Sequence, residues 1–232
     1  MQNRLHPWRD VALPGLSFAA MLAAIVLVFL VVPSEREQGV VQRIFYFHVA
    51  AAWMSFAGFA LVALASIWYL VGGDRRADRL ALANAEVGML FCSLVLITGP
   101  IWARPIWGTW WTWDPRLTMT LVLWTIYAAY LMLRRLGGGD DALSRYAAVL
   151  GIVGALDIPL IIISIRLWRG IHPAVMLAKE KNAGLADPMM KLTLLVAGIA
   201  LALLFTWLVS LRARLARVDD LAAELTHAEV TA

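Results

Sequence analysis

The chain has 232 residues, of which 62% are apolar and 16% charged, with a mean hydropathy of +0.75 and a formal charge of +4. Soluble domains carry about half apolar and a quarter charged residues, so this balance indicates an all-α integral membrane protein and excludes an ordinary soluble enzyme. One cysteine, Cys92, excludes an internal disulfide and any CxxCH haem attachment, and no nucleic-acid motif accompanies the basic charge. Runs of about 20 apolar residues predict six membrane spans: 14–32, 49–71, 80–102, 118–136, 146–165 and 190–211. Arg4 and Arg9 precede the first run as in a signal peptide, but Val31-Val32-Pro33-Ser34 lacks a small-residue cleavage pattern, so a retained span is expected.

Six spans put both termini on one side. Eleven of the 20 basic residues fall in the tails and even connections; five of the other nine (Arg166, Arg169, Lys179, Lys181, Lys191) belong to a single outer connection. The positive-inside rule therefore places the termini in the cytoplasm. Leu215, Val218, Ala222 and Leu225 recur at helical spacing in the polar tail, predicting that the last helix extends beyond the membrane. The division expected is a six-span membrane domain over 1–211 and a cytoplasmic tail over 212–232.

Parity yields a result independent of absolute orientation. His48 precedes the second span, Trp102, Trp107, Trp110, Trp111 and Trp113 follow or end the third, and His172 follows the fifth. All of these share one membrane face, whereas His6 and His227 lie in the tails on the other. Imidazoles from two sides of a porphyrin would fill both axial positions of haem iron. Tryptophans would wall the ring, and Arg104, Arg116, Arg166 or Arg169 would meet its propionates. Taken singly, the same residues also suit interfacial anchoring, and Asp114 before Pro115 suits a helix N-cap. Glu86 and Asp157 lie within spans and demand partners; Pro159 predicts a kink beside Asp157.

The segment Trp107-Gly-Thr-Trp110-Trp111-Thr-Trp113-Asp114-Pro-Arg116-Leu-Thr118 resembles the tryptophan-rich WWD signature of haem-handling membrane proteins in cytochrome c maturation. Size and span number resemble the haem exporter protein C (CcmC) branch rather than the longer haem lyase subunits. Arg43-Ile-Phe-Tyr-Phe-His48 and Trp168-Arg-Gly-Ile-His172 resemble the segments that carry that family's two ligand histidines. The chain departs from the family pattern at Ala50, Pro115 and Asp157, and at the single aromatic Trp168.

The resemblance implies a non-enzymatic subunit in the bacterial inner membrane, with haem-binding loops on the periplasmic face and the signature loop over 102–118. It implies haem b held by His48 and His172 as axial ligands, with Trp107, Trp110, Trp111, Trp113, Asp114, Arg104 and Arg116 at the site. Haem would pass to a periplasmic, membrane-anchored haem chaperone. An ATP-binding subunit, a second permease-like membrane subunit and a small single-span subunit would complete the complex in the lipid bilayer, with no nucleic acid involved. The alternatives are a solute-translocating permease subunit of an ABC-type exporter, a haem lyase-like enzyme, or a b-type membrane cytochrome.

Overall fold

The computed structural model describes residues 8–137, 140–168, 185 and 187–231. Seven α-helices follow in order: α1 (Leu13–Val26), α2 (Arg43–Gly72), α3 (Arg75–Trp107), α4 (Pro115–Leu136), α5 (Asp141–Ala155), α6 (Asp157–Leu167) and α7 (Pro188–Thr231). They form six stretches long and apolar enough to cross a membrane: Asp10–Val31, Val40–Gly72, Arg75–Trp107, Pro115–Leu136, Asp141–Ser164 and Pro188–Asp219. The expected number of spans is therefore found, in a multi-pass membrane protein. In hydrocarbon every backbone polar group must be satisfied within its own segment, and helices with apolar outer faces such as Phe18, Leu22 and Leu64 meet that demand.

The helices are longer than the apolar runs. The apolar run of the second span begins near Val49, but α2 begins at Arg43 and places His48 well over a turn inside the helix. Likewise α3 continues through Pro100 and Pro105 to Trp107, so the irregular part of the signature connection spans only 108–114. Its tryptophans 102 and 107 are helical. Gly73 and Gly108 end α2 and α3 with φ of 66° and 73°, a left-handed conformation costly for any residue bearing a Cβ. Asp74, Asp114 and Asp140 start α3, α4 and α5, each accepting a backbone N–H in the first turn.

Helix α2 is the centre of the bundle. It packs antiparallel on α3 and also against α5 and α7, while α1 lies on α7. Without a hydrophobic drive between helices in lipid, close approach depends on small residues. A Cβ at Gly58 would lie 3.0 Å from the Gly88 Cα and 3.1 Å from the Phe205 ring, so two glycines bring the backbones of α2 and α3 together. Tyr127 on α4 ties the other side: its ring stacks on Phe59 at 3.7 Å, and its hydroxyl donates to the Gly151 carbonyl at 2.8 Å.

Several charged side chains pair between helices. Arg134 holds Asp78 through two bonds of 2.8 and 2.7 Å with both side chains nearly buried, so removing the carboxylate would leave a guanidinium uncompensated at a cost of about 3–5 kcal/mol. The exposed pair Arg75–Asp141 is worth about 1 kcal/mol or less. Glu86 is answered by Arg212 of α7, whose Nη2 donates to Oε1 at 2.6 Å. Asp157 begins α6 where the fifth span breaks at Leu156, as the nearby Pro159 predicts, and its Oδ2 is buried without a hydrogen-bond partner among the described residues. The last helix runs unbroken to Thr231, with Leu215, Val218, Leu221 and Leu225 exposed along its extension.

Gly58→Leu is expected to force α2 and α3 apart and cost about 1–3 kcal/mol, in line with overpacked cores. Thermal unfolding of the detergent-solubilised protein measures it; a midpoint equal to that of the unaltered chain would show that the glycine contact does not set the helix spacing.

Candidate functional site

The beginning of α2, the end of α3 and the beginning of α4 meet at one face of the bundle. His48 reaches this corner from α2 with only 7% of its surface exposed. Three features of α3 enclose its ring. The Nδ1 lies 2.8 Å from the Thr98 Oγ1. A Cβ on Gly99 would stand 3.3 Å from the imidazole Cε1, so the glycine leaves just enough space for that edge. One turn after Thr98, Trp102 packs edge-to-face on the imidazole at 5.7 Å and 61°.

Trp102 is itself fixed. It is 4% exposed, its Nε1 donates to the Gln38 side-chain oxygen at 3.1 Å, and Phe45 meets it edge-on at 5.8 Å. Gln38 comes from the connection between α1 and α2, where the Glu35 carboxylate accepts the backbone N–H groups of Glu37 and Gln38 at 2.8 and 2.6 Å. A compact polar turn before α2 thus holds the tryptophan that holds the histidine.

The signature loop presents two kinds of aromatic side chain. Trp110 and Trp113 are 58% and 75% exposed, whereas Trp107 and Trp111 are partly buried. Trp111 and Trp113 meet edge-to-face at 5.9 Å. The loop is braced by the Arg104 guanidinium, which donates to the Gly108 carbonyl, and by the Thr109 hydroxyl, which donates to the Trp111 carbonyl at 3.1 Å. Asp114 caps α4: Oδ1 accepts from the Arg116 N–H at 2.9 Å, while Oδ2 is buried without a hydrogen-bond partner among the described residues. The Trp111 Nε1, Thr112 Oγ1 and Thr118 Oγ1 are also buried and have no hydrogen-bond partner among the described residues. Such a concentration is unusual, because about nine in ten buried polar groups are bonded. Arg116, partly buried, lies within electrostatic reach of His48.

The structure thus brings His48, Arg116 and the signature loop to one face. His172 and Arg169 lie outside the described residues, as does the side chain of Arg166, and α6 leading towards them ends at Leu167. Arg104, exposed at the end of α3, donates to the Gly108 carbonyl. Among the tryptophans, the one in ring contact with His48 is Trp102, outside the set the resemblance emphasises. Thr98, Gly99 and Gln38 escape sequence reading altogether: a Thr-Gly-Pro step ending an apolar run looks like helix punctuation, and only the packing of α2 on α3 gives it an imidazole to hold.

The fold and the site define a polytopic membrane protein with a nearly buried imidazole and a rim of exposed indoles on one face, a layout suited to a flat apolar ligand at the membrane surface. The sequence profile of the family described as Heme exporter protein C matches residues 1–226. The heme exporter protein C of Bradyrhizobium diazoefficiens is 34% identical over 210 residues, 88% of this chain and 80% of the relative. That of Rhodobacter capsulatus is 32% identical over 214 residues, covering 91% and 86%, and that of Escherichia coli is 34% identical over 172 residues, covering 72% and 66%. The chain belongs to the heme exporter protein C family.

Replacing Trp102 by Ala is expected to cost about 3–5 kcal/mol as a large buried side chain is lost, whereas Trp113→Ala should leave stability within about 0.5 kcal/mol. Thermal unfolding of the two variants in detergent separates them, and equal losses would contradict the division between a structural and a presented tryptophan.

Proposed function

We propose that this chain is the haem-presenting membrane subunit of a cytochrome c maturation system. It holds haem b at the periplasmic face, with iron between His48 and His172, and passes it to a membrane-anchored haem chaperone. Its role is delivery rather than catalysis. It acts in a bacterial inner membrane with both termini, including the extension over 212–232, in the cytoplasm. The same resemblance supplies the expected partners: an ATP-binding subunit, a second permease-like membrane subunit and a small single-span subunit. Family membership favours this reading over a general solute permease or a haem lyase.

The observation that carries the reading is the state of His48. Its Nδ1 is engaged by Thr98, while Nε2 makes no hydrogen bond among the described residues. A neutral imidazole bonded at one nitrogen offers the lone pair of the other to a metal. Haem supplies an iron that takes two such axial ligands.

The chain's own residues suit the remaining surface of such a ligand. Arg116 lies near His48 and offers a guanidinium to a propionate, and the Trp111 Nε1 and the Thr112 and Thr118 hydroxyls, unpartnered among the described residues, offer further donors. Trp110 and Trp113 present apolar rings outwards, where a porphyrin edge and a partner protein would meet. His48 and His172 would hold such an iron, and bonds from both would keep oxygen from it.

The detergent-purified protein, co-produced with a haem chaperone, is expected to show a low-spin haem spectrum that is lost or shifted in His48→Ala and in His172→Ala. Visible absorption reads the outcome directly. Haem content and spectrum indifferent to both replacements would overturn the ligand assignment and favour a permease subunit. Trp110→Ala, by contrast, should preserve folding but weaken the complex with haem and chaperone about tenfold or more, as loss of an interfacial tryptophan does; co-purification of chaperone at an undiminished level would remove Trp110 from the docking surface.

A further inference from the structure

The hydroxyl of Thr98 has one proton, and the structure shows where it goes. Thr98 Oγ1 lies 2.7 Å from the Leu94 carbonyl of its own helix, an acceptor only, so the hydroxyl donates there. The contact of the same oxygen with the His48 Nδ1 at 2.8 Å must then run in the other direction, with Nδ1–H donating and Thr98 accepting. A neutral imidazole protonated at Nδ1 is bare at Nε2. The direction of two hydrogen bonds therefore assigns the tautomer.

The surroundings leave the ring little freedom to escape this arrangement. Gly99 admits the Cε1 edge at 3.3 Å for a Cβ in its place, and Trp102 closes one side of the ring at 5.7 Å. Exchanging the two nitrogens by a ring flip would break the contact between Nδ1 and Oγ1. Thr98, Gly99 and Trp102 all belong to α3, so one helix both orients the ring and selects its proton. Backbone-directed threonines elsewhere lack this second contact: the Thr125 and Thr206 hydroxyls donate to the carbonyls four residues earlier and are exposed.

We propose that Thr98 is the positioning residue of the site: by accepting the Nδ1 proton of His48 while donating to Leu94, it holds the imidazole in the tautomer whose Nε2 lone pair faces the metal of a bound haem. The proposal rests on His48 being an axial ligand, as set out above, for its functional meaning; the tautomer itself is a property of the ligand-free chain. Hydrogen-bond partners of ligating histidines fix tautomer and orientation, and their loss commonly lowers metal affinity about 10–100-fold.

The test uses the full chain in detergent, with its histidines labelled with nitrogen-15 and the His48 resonances assigned by their absence from His48→Ala. In the haem-free protein the unaltered chain and Thr98→Ser should show His48 protonated at Nδ1. Thr98→Val, which keeps the shape and removes the acceptor, should shift His48 towards the Nε2-protonated form, with Thr98→Ala as the second variant should valine not fold. In the haem-loaded protein Thr98→Val should retain about 10–100-fold less haem and shift the low-spin bands, Thr98→Ser should restore both, and Thr125→Val should change neither. An unaltered His48 tautomer in both Thr98→Val and Thr98→Ala would overturn the proposal while leaving the ligand reading intact. A tautomer that changes as expected, in a protein whose haem spectrum is indifferent to His48→Ala, would instead overturn the ligand reading alone.

Discussion

The close contact of α2 with α3 is the constraint on which the rest of the molecule depends. Gly58 and Gly88 let the two backbones touch near mid-span, and in an antiparallel pair that contact sets the register for the whole length. His48 lies ten residues before Gly58, and Thr98 lies ten residues after Gly88. At 1.5 Å per residue both positions are about 15 Å from the glycine contact, measured in the same direction along the pair, so the imidazole meets the hydroxyl. A Cβ at the glycine contact would disturb the site by moving a helix, without any side chain at the site being altered.

Around this pair the molecule separates rigid support from presented surface. His48 is held at one nitrogen, one ring edge and one aromatic contact, and Trp102 behind it is fixed in turn by Gln38 and Phe45. A few residues away in sequence, Trp110 and Trp113 stand largely outside the bundle. Both sets of aromatics belong to one short stretch of sequence, and the helix end at Gly108 divides them. An indole buried against a helix contributes packing energy; an indole beyond the helix end is available to a partner. Beyond that helix end, in the loop and the first turn of α4, Trp111, Thr112, Asp114 and Thr118 carry buried polar atoms without hydrogen-bond partners among the described residues.

Much of this was legible in the chain itself. Six apolar runs gave six helical stretches long and apolar enough to cross a membrane, and the parity of those runs placed His48 and the tryptophan loop on one face. The cap at Asp114 and the break beside Pro159 followed from local chemistry. Local chemistry could not say that Glu86 pairs with Arg212, 126 residues away, because a carboxylate in an apolar run signals only that a partner is needed, nor that Asp78 in the charged connection before the third run pairs with Arg134. Helix ends were also hidden: the hydropathy of Arg43, Gln42 and Arg104 breaks the apolar pattern, yet these residues sit in helical turns that extend past the apolar run.

The sequence by itself determined the class of protein, the number of spans and the shared face, because apolar length and the alternation of crossings depend only on order along the chain. Tertiary structure decided which atoms serve the site. Thr98, Gly99 and Gln38 acquire their roles from helices α2 and α3 lying side by side in one register, and Trp102 becomes the support of His48 rather than one more interfacial indole. Which nitrogen of His48 carries the proton was decided there as well, because that choice depends on a hydroxyl fifty residues away and on the carbonyl that already holds its hydrogen.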